Sequence, residues 1–123
     1  MKILKTHWFE RFARKQNISD LVLGDAVRRA EKGQIDADLG GGLIKQRIAR
    51  EGEGRRGGFR AIVIYRFEER AFFVYGFPKN DRGNISKQEL DGFRKLCGLL
   101  NIPDSQLKVM IENQKFIEVS EGG

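Results

Sequence analysis

Two runs of strand-forming residues, Phe59 to Phe67 and Arg70 to Phe77, stand on either side of Glu68-Glu69 and constrain this chain more than any other feature. Both are rich in β-branched and aromatic residues, the types that fit a pleated, half-buried surface. A two-residue polar break between such runs dictates an antiparallel hairpin. Pro78 cannot donate to a ladder hydrogen bond and ends the second run. Strands this apolar belong in the middle of a sheet, under helices. Just upstream, Leu43 to Arg50 alternates, with Ile44, Gln46 and Ile48 on one side and Lys45, Arg47 and Ala49 on the other. It reads as a third strand. Lys2 to Lys5 reads as a short first strand and Phe116 to Val119 as a last one.

Helical spacing appears at both ends. Trp8, Phe9, Phe12 and Ala13 recur after Thr6, a candidate N-cap. Leu23, Ala26, Val27 and Ala30 fall at i, i+3, i+4 and i+7 after Ser19, with Gly33 as the stop. Ser86-Lys87-Gln88-Glu89 is a capping box, in which serine and glutamate satisfy each other's helix-end amides. The apolar stripe Leu90, Phe93, Cys97 and Leu100 follows, and Pro103-Asp104 opens a further helix. Asp36 to Gly42, Gly52 to Gly58 and Asn80 to Asn84 read as loops. The expected architecture is α+β: a small antiparallel β-sheet with N-terminal helices packed on one face, and C-terminal helices. One domain is expected over 1–123, its core at about 2–100, with a C-terminal helix and tail over 101–123.

The composition narrows the chemistry. The one cysteine, Cys97, allows no internal disulfide and no thiolate metal cluster, and it lies on an apolar stripe as a core residue would. The one histidine, His7, sits in a first helical turn, where capping is commoner than catalysis. The carboxylates lack metal-ligand spacing, and Gly40-Gly41-Gly42 precedes a strand rather than a phosphate-binding helix. No metal and no cofactor are expected. The sequence shows no membrane-spanning run and no secretory signal, so the cytoplasm is the expected compartment.

The net charge of +6 is concentrated: Lys45, Arg47, Arg50, Arg55, Arg56 and Arg60 fall within sixteen positions against only Glu51 and Glu53, a local +4. Lys45 and Arg47 share a strand face, and Arg60 opens the next strand. Lys79 follows the aromatic ladder Phe73, Tyr75 and Phe77. Converging cations beside aromatic rings suit single-stranded RNA, whose phosphates need neutralising and whose bases stack on rings. Phe72, Phe73 and Phe77 read as core, whereas Tyr75 is open to either role.

The block from Asp36 through Gly40-Gly41-Gly42-Leu43-Ile44-Lys45-Gln46-Arg47 to Arg50 resembles the RelE-like toxins of bacterial type II toxin–antitoxin systems. So do Gly57-Gly58-Phe59-Arg60, the run Phe72 to Asn80, and Asn84-Ile85-Ser86. The likeness is to a RelE/HigB-like branch and spans about Lys2 to Leu100. It implies a toxin that enters the ribosome and cleaves mRNA without a metal. It also implies a cognate antitoxin protein, commonly DNA-binding, as partner. By this resemblance the catalytic set is Lys45, Arg47, Arg60 and Lys79. Arg50, Arg55, Arg56, Tyr75, Asn80 and Ser86 are the RNA-binding candidates. Two positions depart from RelE itself, which has an arginine where this chain has Asn80 and a catalytic tyrosine where it has Ser86. Two alternatives stand beside the ribonuclease: a ParE-like inhibitor of DNA gyrase, and a non-catalytic RNA- or protein-binding module on the same scaffold.

Overall fold

The computed structural model describes residues 1–50, 54–78 and 85–120. In chain order these form β1 (Lys2–Lys5), α1 (His7–Lys15), α2 (Asp20–Glu31), β2 (Ala37–Gly40), β3 (Leu43–Arg50), β4 (Gly54–Arg66), β5 (Arg70–Pro78), α3 (Lys87–Leu99), α4 (Asp104–Glu112) and β6 (Ile117–Glu118). The strands make one sheet in the order β2-β3-β4-β5-β1-β6. Every neighbouring pair is antiparallel except β1 with β5. This is the expected α+β arrangement.

Local chemistry sets the element ends where the sequence placed them. The Thr6 hydroxyl accepts the Phe9 amide and the Ser19 hydroxyl the Val22 amide. Ser86 and Glu89 exchange both bonds of their capping box. The β4–β5 hairpin turns with Arg66 opposite Arg70 and Glu68 in the left-handed region at φ 60°. Glu31, at the end of α2, pins that turn by accepting the Tyr65 hydroxyl and the Glu68 amide.

Helices cover both faces of the sheet. On one, Phe9, Ala13, Leu23, Ala26 and Val27 of the N-terminal helices pack on Ile44, Ile48, Ala61, Val63 and Phe73. On the other, Leu96, Leu100, Leu107 and Met110 cover Leu43, Ile62, Ile64, Phe72 and Val74. The C-terminal helices thus occupy the face that the N-terminal pair leaves open. This is why β5 reads as a continuous apolar run: Phe72 and Phe73 project to opposite faces, and both are fully buried. The reading of the phenylalanines Phe72, Phe73 and Phe77 as core is correct.

Three segments differ from the sequence reading. Ala37–Gly40, expected within a loop, is an edge strand paired with β3. Its four residues do alternate, with Ala37 and Leu39 half-buried and Asp38 and Gly40 exposed, but so short a run beside three glycines does not stand out from a loop. The chain returns through Gly40, Gly41 and Gly42, whose φ values of 83°, 66° and 90° only glycine adopts cheaply. Likewise β4 starts at Gly54 rather than Phe59, continuing past a bulge between Ile48 and Arg50. A Cβ on Gly58 would lie 2.8 Å from the Ile48 carbonyl oxygen, so the glycine that looked like a loop signal marks a close strand contact. The last strand is shorter than expected and pairs antiparallel with β1. No helix of the described residues is long and apolar enough to cross a membrane.

Candidate functional site

The β3–β4 register decides which cations meet. Arg47 lies directly opposite Arg60, and Lys45 lies opposite Ile62 one step along the same face. Directly opposed residues of an antiparallel pair project from one side. That side is the one on which Leu43, Ile62 and Ile64 meet the C-terminal helices. Along β3 it changes from apolar Leu43 to cationic Lys45 and Arg47. The third strand brings Tyr75 opposite Ile62 and Phe77 opposite Arg60. The structure therefore brings together Lys45, Arg47 and Arg60, with Tyr75 and Phe77 beside them.

Arg60 is held rather than free. Its side chain is only 13% exposed, and its Nε donates toward Asp36 Oδ2 at 2.9 Å. Its Nη1 is buried and has no hydrogen-bond partner among the described residues. Asp36 is in turn fixed through its backbone: its N–H donates to Gln46 Oε1 at 3.0 Å. Gln46, 2% exposed, spends its amide donors on the Ala26 and Gln34 carbonyls at 2.9 and 3.0 Å. One buried glutamine thus ties α2, the segment after it and β3 together behind the cations.

A groove opens beside them along the outer edge of β3, lined by Asp25, Arg29, Gln34, Asp36, Gln46 and Arg47. It exists because the β2 pairing reaches back only to Ala37 opposite Lys45. Arg29 crosses the groove, donating to the Arg47 carbonyl at 2.7 Å while its Nε pairs with Asp25 at 3.5 Å. A third guanidinium, and fourth cation, therefore stands against the Arg47 backbone.

Tyr75 is half-buried in an aromatic column. Its ring lies 4.7 Å from Trp8, 5.6 Å from Phe93 and 6.1 Å from Phe77. Trp8, 41% exposed, also stacks on Phe12 at 5.7 Å. Ser86 sits at the start of α3, its oxygen accepting the Glu89 amide. The side chains of Arg50, Arg55 and Arg56 lie outside the described residues, as do Lys79 and Asn80 altogether. The described part of β5 ends at Pro78, opposite Phe59 and so one pair from Arg60.

Sequence reasoning missed Asp36, Gln46, Arg29 and Trp8 as parts of this site. Gln46 did carry a signal: a lone amide amid an apolar stripe, between Ile44 and Ile48, needs buried partners. Asp36 and Arg29 carried none, since each reaches the site from another element. Of the residues set aside, His7 is exposed and its Nε2 lies 2.6 Å from the Gln114 carbonyl oxygen. Cys97 packs among the residues of the second core, and burial pushes its thiol up. No group of three or more His, Cys, Asp or Glu among the described residues is placed to hold a metal ion.

Compared with known proteins, residues 1–119 match a family model described as the RelE toxin of the RelE / RelB toxin–antitoxin system. No curated protein matches the chain.

Proposed function

The chain belongs to the RelE toxin family, a toxin that pairs with an antitoxin, and from that premise we propose that it is a metal-independent endoribonuclease acting on mRNA at the ribosome. The observation that carries the reading is the facing of Arg47 and Arg60 across two central strands, with Lys45 adjoining. Like charges placed directly opposite destabilise a sheet. An anion between them turns that repulsion into attraction. A phosphodiester fits, because guanidinium forks match phosphate oxygens and tolerate burial better than an ammonium.

In the proposed reaction the ribose 2′-hydroxyl attacks the adjacent phosphorus as its proton passes to a base, for which Lys45 is assigned. The bond from phosphorus to the 5′-oxygen breaks. That oxygen takes a proton, leaving a 2′,3′-cyclic phosphate and a free 5′-hydroxyl. Arg47 and Arg60 hold the phosphate and stabilise the charge that builds on its oxygens. Lys79 is assigned as the acid or as a further clamp. Tyr75 and its neighbouring rings supply a stacking surface for a base, and Arg50, Arg55, Arg56, Asn80 and Ser86 are assigned to RNA binding by the family resemblance. A protein that acts on translating ribosomes works in the cytoplasm, the compartment this reading assigns.

The test is primer-extension mapping of mRNA ends after brief induction without antitoxin, with translation running or blocked. New ends that need active translation are expected. They should vanish in Arg60→Ala at equal expression, with the fold retained by circular dichroism. Growth arrest with intact mRNA would overturn the ribonuclease in favour of a gyrase-type target, and tolerance of the wild-type protein would favour a binding module. Undiminished cleavage by Arg60→Ala would remove Arg60 from the site.

A further inference from the structure

We infer that Asp36 is the positioning residue of Arg60, holding one edge of its guanidinium so that the other is presented to a phosphate. The inference rests on the reading of Arg60 as a phosphate ligand and adds how that side chain is aimed. A guanidinium carries five N–H donors in a rigid plane: one on Nε and two on each η nitrogen. Asp36 Oδ2, 2.9 Å from Nε, occupies the side edge. The end edge, between Nη1 and Nη2, remains. Its Nη1 is buried with no partner among the described residues. An unmet buried donor is costly, and proteins tolerate one chiefly where a ligand completes it. A phosphate, with two oxygens able to accept side by side, has the chemistry to complete that edge once it reaches it.

The anchoring behind Asp36 supports a positioning role. Were Asp36 only a counter-ion, its backbone need not be fixed. Instead its amide is bonded to Gln46, which is itself fully engaged with Ala26 and Gln34. The chain Ala26–Gln46–Asp36–Arg60 runs from α2 through the sheet to the cationic face. It fixes the guanidinium plane before any ligand arrives, and preorganised donors of this kind spare the ligand the cost of ordering them.

Charge alone and positioning predict opposite results, which makes the test sharp. Asp36→Asn and Asp36→Ala both remove one negative charge, so both gain the same long-range attraction for RNA. Only asparagine keeps an oxygen acceptor for Nε. Binding of a fluorescein-labelled single-stranded decaribonucleotide, read by anisotropy at fixed ionic strength, should be about tenfold weaker for Asp36→Ala than for Asp36→Asn, the ratio expected of one charge-assisted hydrogen bond. Equal affinities, or tighter binding by the alanine variant, would overturn the inference. In an Arg60→Ala background the two should bind alike. A gap that survives there would show that Asp36 acts through something else, and would also overturn it. Arg60→Ala binding as tightly as wild type is a different failure: it would remove Arg60 from the RNA site and with it the reading above. A measurement on the wild type covers a failure of Asp36→Ala to fold. On saturation with the oligonucleotide, the 15N-labelled Arg60 Nε–H signal should hold its position while the η protons slow and become visible. An Nε–H signal that moves to the shift of solvent-exposed arginines would show the Asp36 contact broken on binding, against the inference.

Discussion

Among the described residues Lys5 is the one lysine buried in the core, and replacing it by methionine tests how the N-terminal part of the fold is tied together. Its side chain is 8% exposed; its Nζ lies 2.7 Å from Asp20 Oδ1 and in contact with Glu10. The cluster joins β1, α1 and α2, and Asp20 also accepts the Ser120 amide at 2.9 Å, adding the chain's C-terminal part. Methionine keeps the volume but leaves two carboxylates facing each other. Removing one partner of a fully buried pair costs about 3–5 kcal/mol. Glu10 and Asp20 are 19% and 26% exposed, and Glu10 retains Arg14 at 3.0 Å, so roughly 2–4 kcal/mol is expected here. With a urea m value of about 2 kcal/mol/M, the midpoint should fall by about 1–2 M. The pH dependence has a definite sign. Burial pushes the Glu10 carboxyl up, but the hydrogen bond and charge of Lys5, then those of Arg14, outweigh it and hold it below its ordinary 4.5. Its stabilisation is therefore present above 4.5 and lost as pH falls through the depressed folded value. Burial pushes Lys5 down, but its hydrogen bonds to Asp20 and Glu10 and their charges carry it above 10.5. That contribution is complete below 10.5 and lost as pH rises through the raised folded value. The gap between wild type and Lys5→Met should accordingly be widest near neutrality and shrink below pH 4.5. Urea titrations from pH 3 to pH 8 check this. A gap that stays constant across the range, or a methionine variant as stable as wild type at pH 7, would refute the reasoning.

Other expected outcomes follow from single contacts. A Cβ on Gly76 would sit 2.4 Å from Phe12 Cε2, so Gly76→Ala must displace the ring against which Trp8 stacks; a loss of about 1–3 kcal/mol in urea melts and a shifted emission of Trp8, the chain's only tryptophan, are expected. Gln46→Leu leaves the Asp36 amide and the Gln34 carbonyl without their Gln46 partner and removes the extra bond to the Ala26 carbonyl, and should lower stability by about 1–3 kcal/mol by the same assay. Ser86→Ala removes the α3 cap and should cost about 1 kcal/mol. If Ser86 also lines the RNA path, the variant should weaken oligonucleotide binding; unchanged affinity would confine it to capping.

What the sequence made legible is what local chemistry decides. Caps at Thr6, Ser19 and Ser86, the hairpin at Glu68-Glu69 and the apolar stripe of α2 each depend on residues within a few positions of one another, and each stands as read. The meeting of Lys45, Arg47 and Arg60 was half legible. Alternation placed Lys45 and Arg47 on one face, but the facing of Arg47 with Arg60 depends on a register that only the whole sheet fixes. The parallel pairing of β1 with β5 is beyond local reading, since 64 or more residues separate Lys5 from Arg70 and its neighbours. Asp36 shows the same limit at the site. Its partner Arg60 is 24 positions away, and no periodicity joins an edge-strand approach to a central strand.

The cationic end of the sheet is best understood by asking what stability alone would place there. The outward positions of β3 and β4 begin as Leu43, Ile62 and Ile64, all buried under the C-terminal helices. Continuing that stripe through Lys45, Arg47 and Arg60 would bury more apolar surface, at about 1.5–3 kcal/mol for each fully buried side chain. The chain instead sets two guanidiniums face to face, with one of them 13% exposed and an η nitrogen unmet among the described residues. Among the described residues one carboxylate, Asp36, pairs with Arg60, and the buried Gln46 amide holds the Asp36 backbone. A fold that sets two guanidiniums face to face on central strands, while fixing the geometry of one of them from behind, is arranged for an anion that comes and goes.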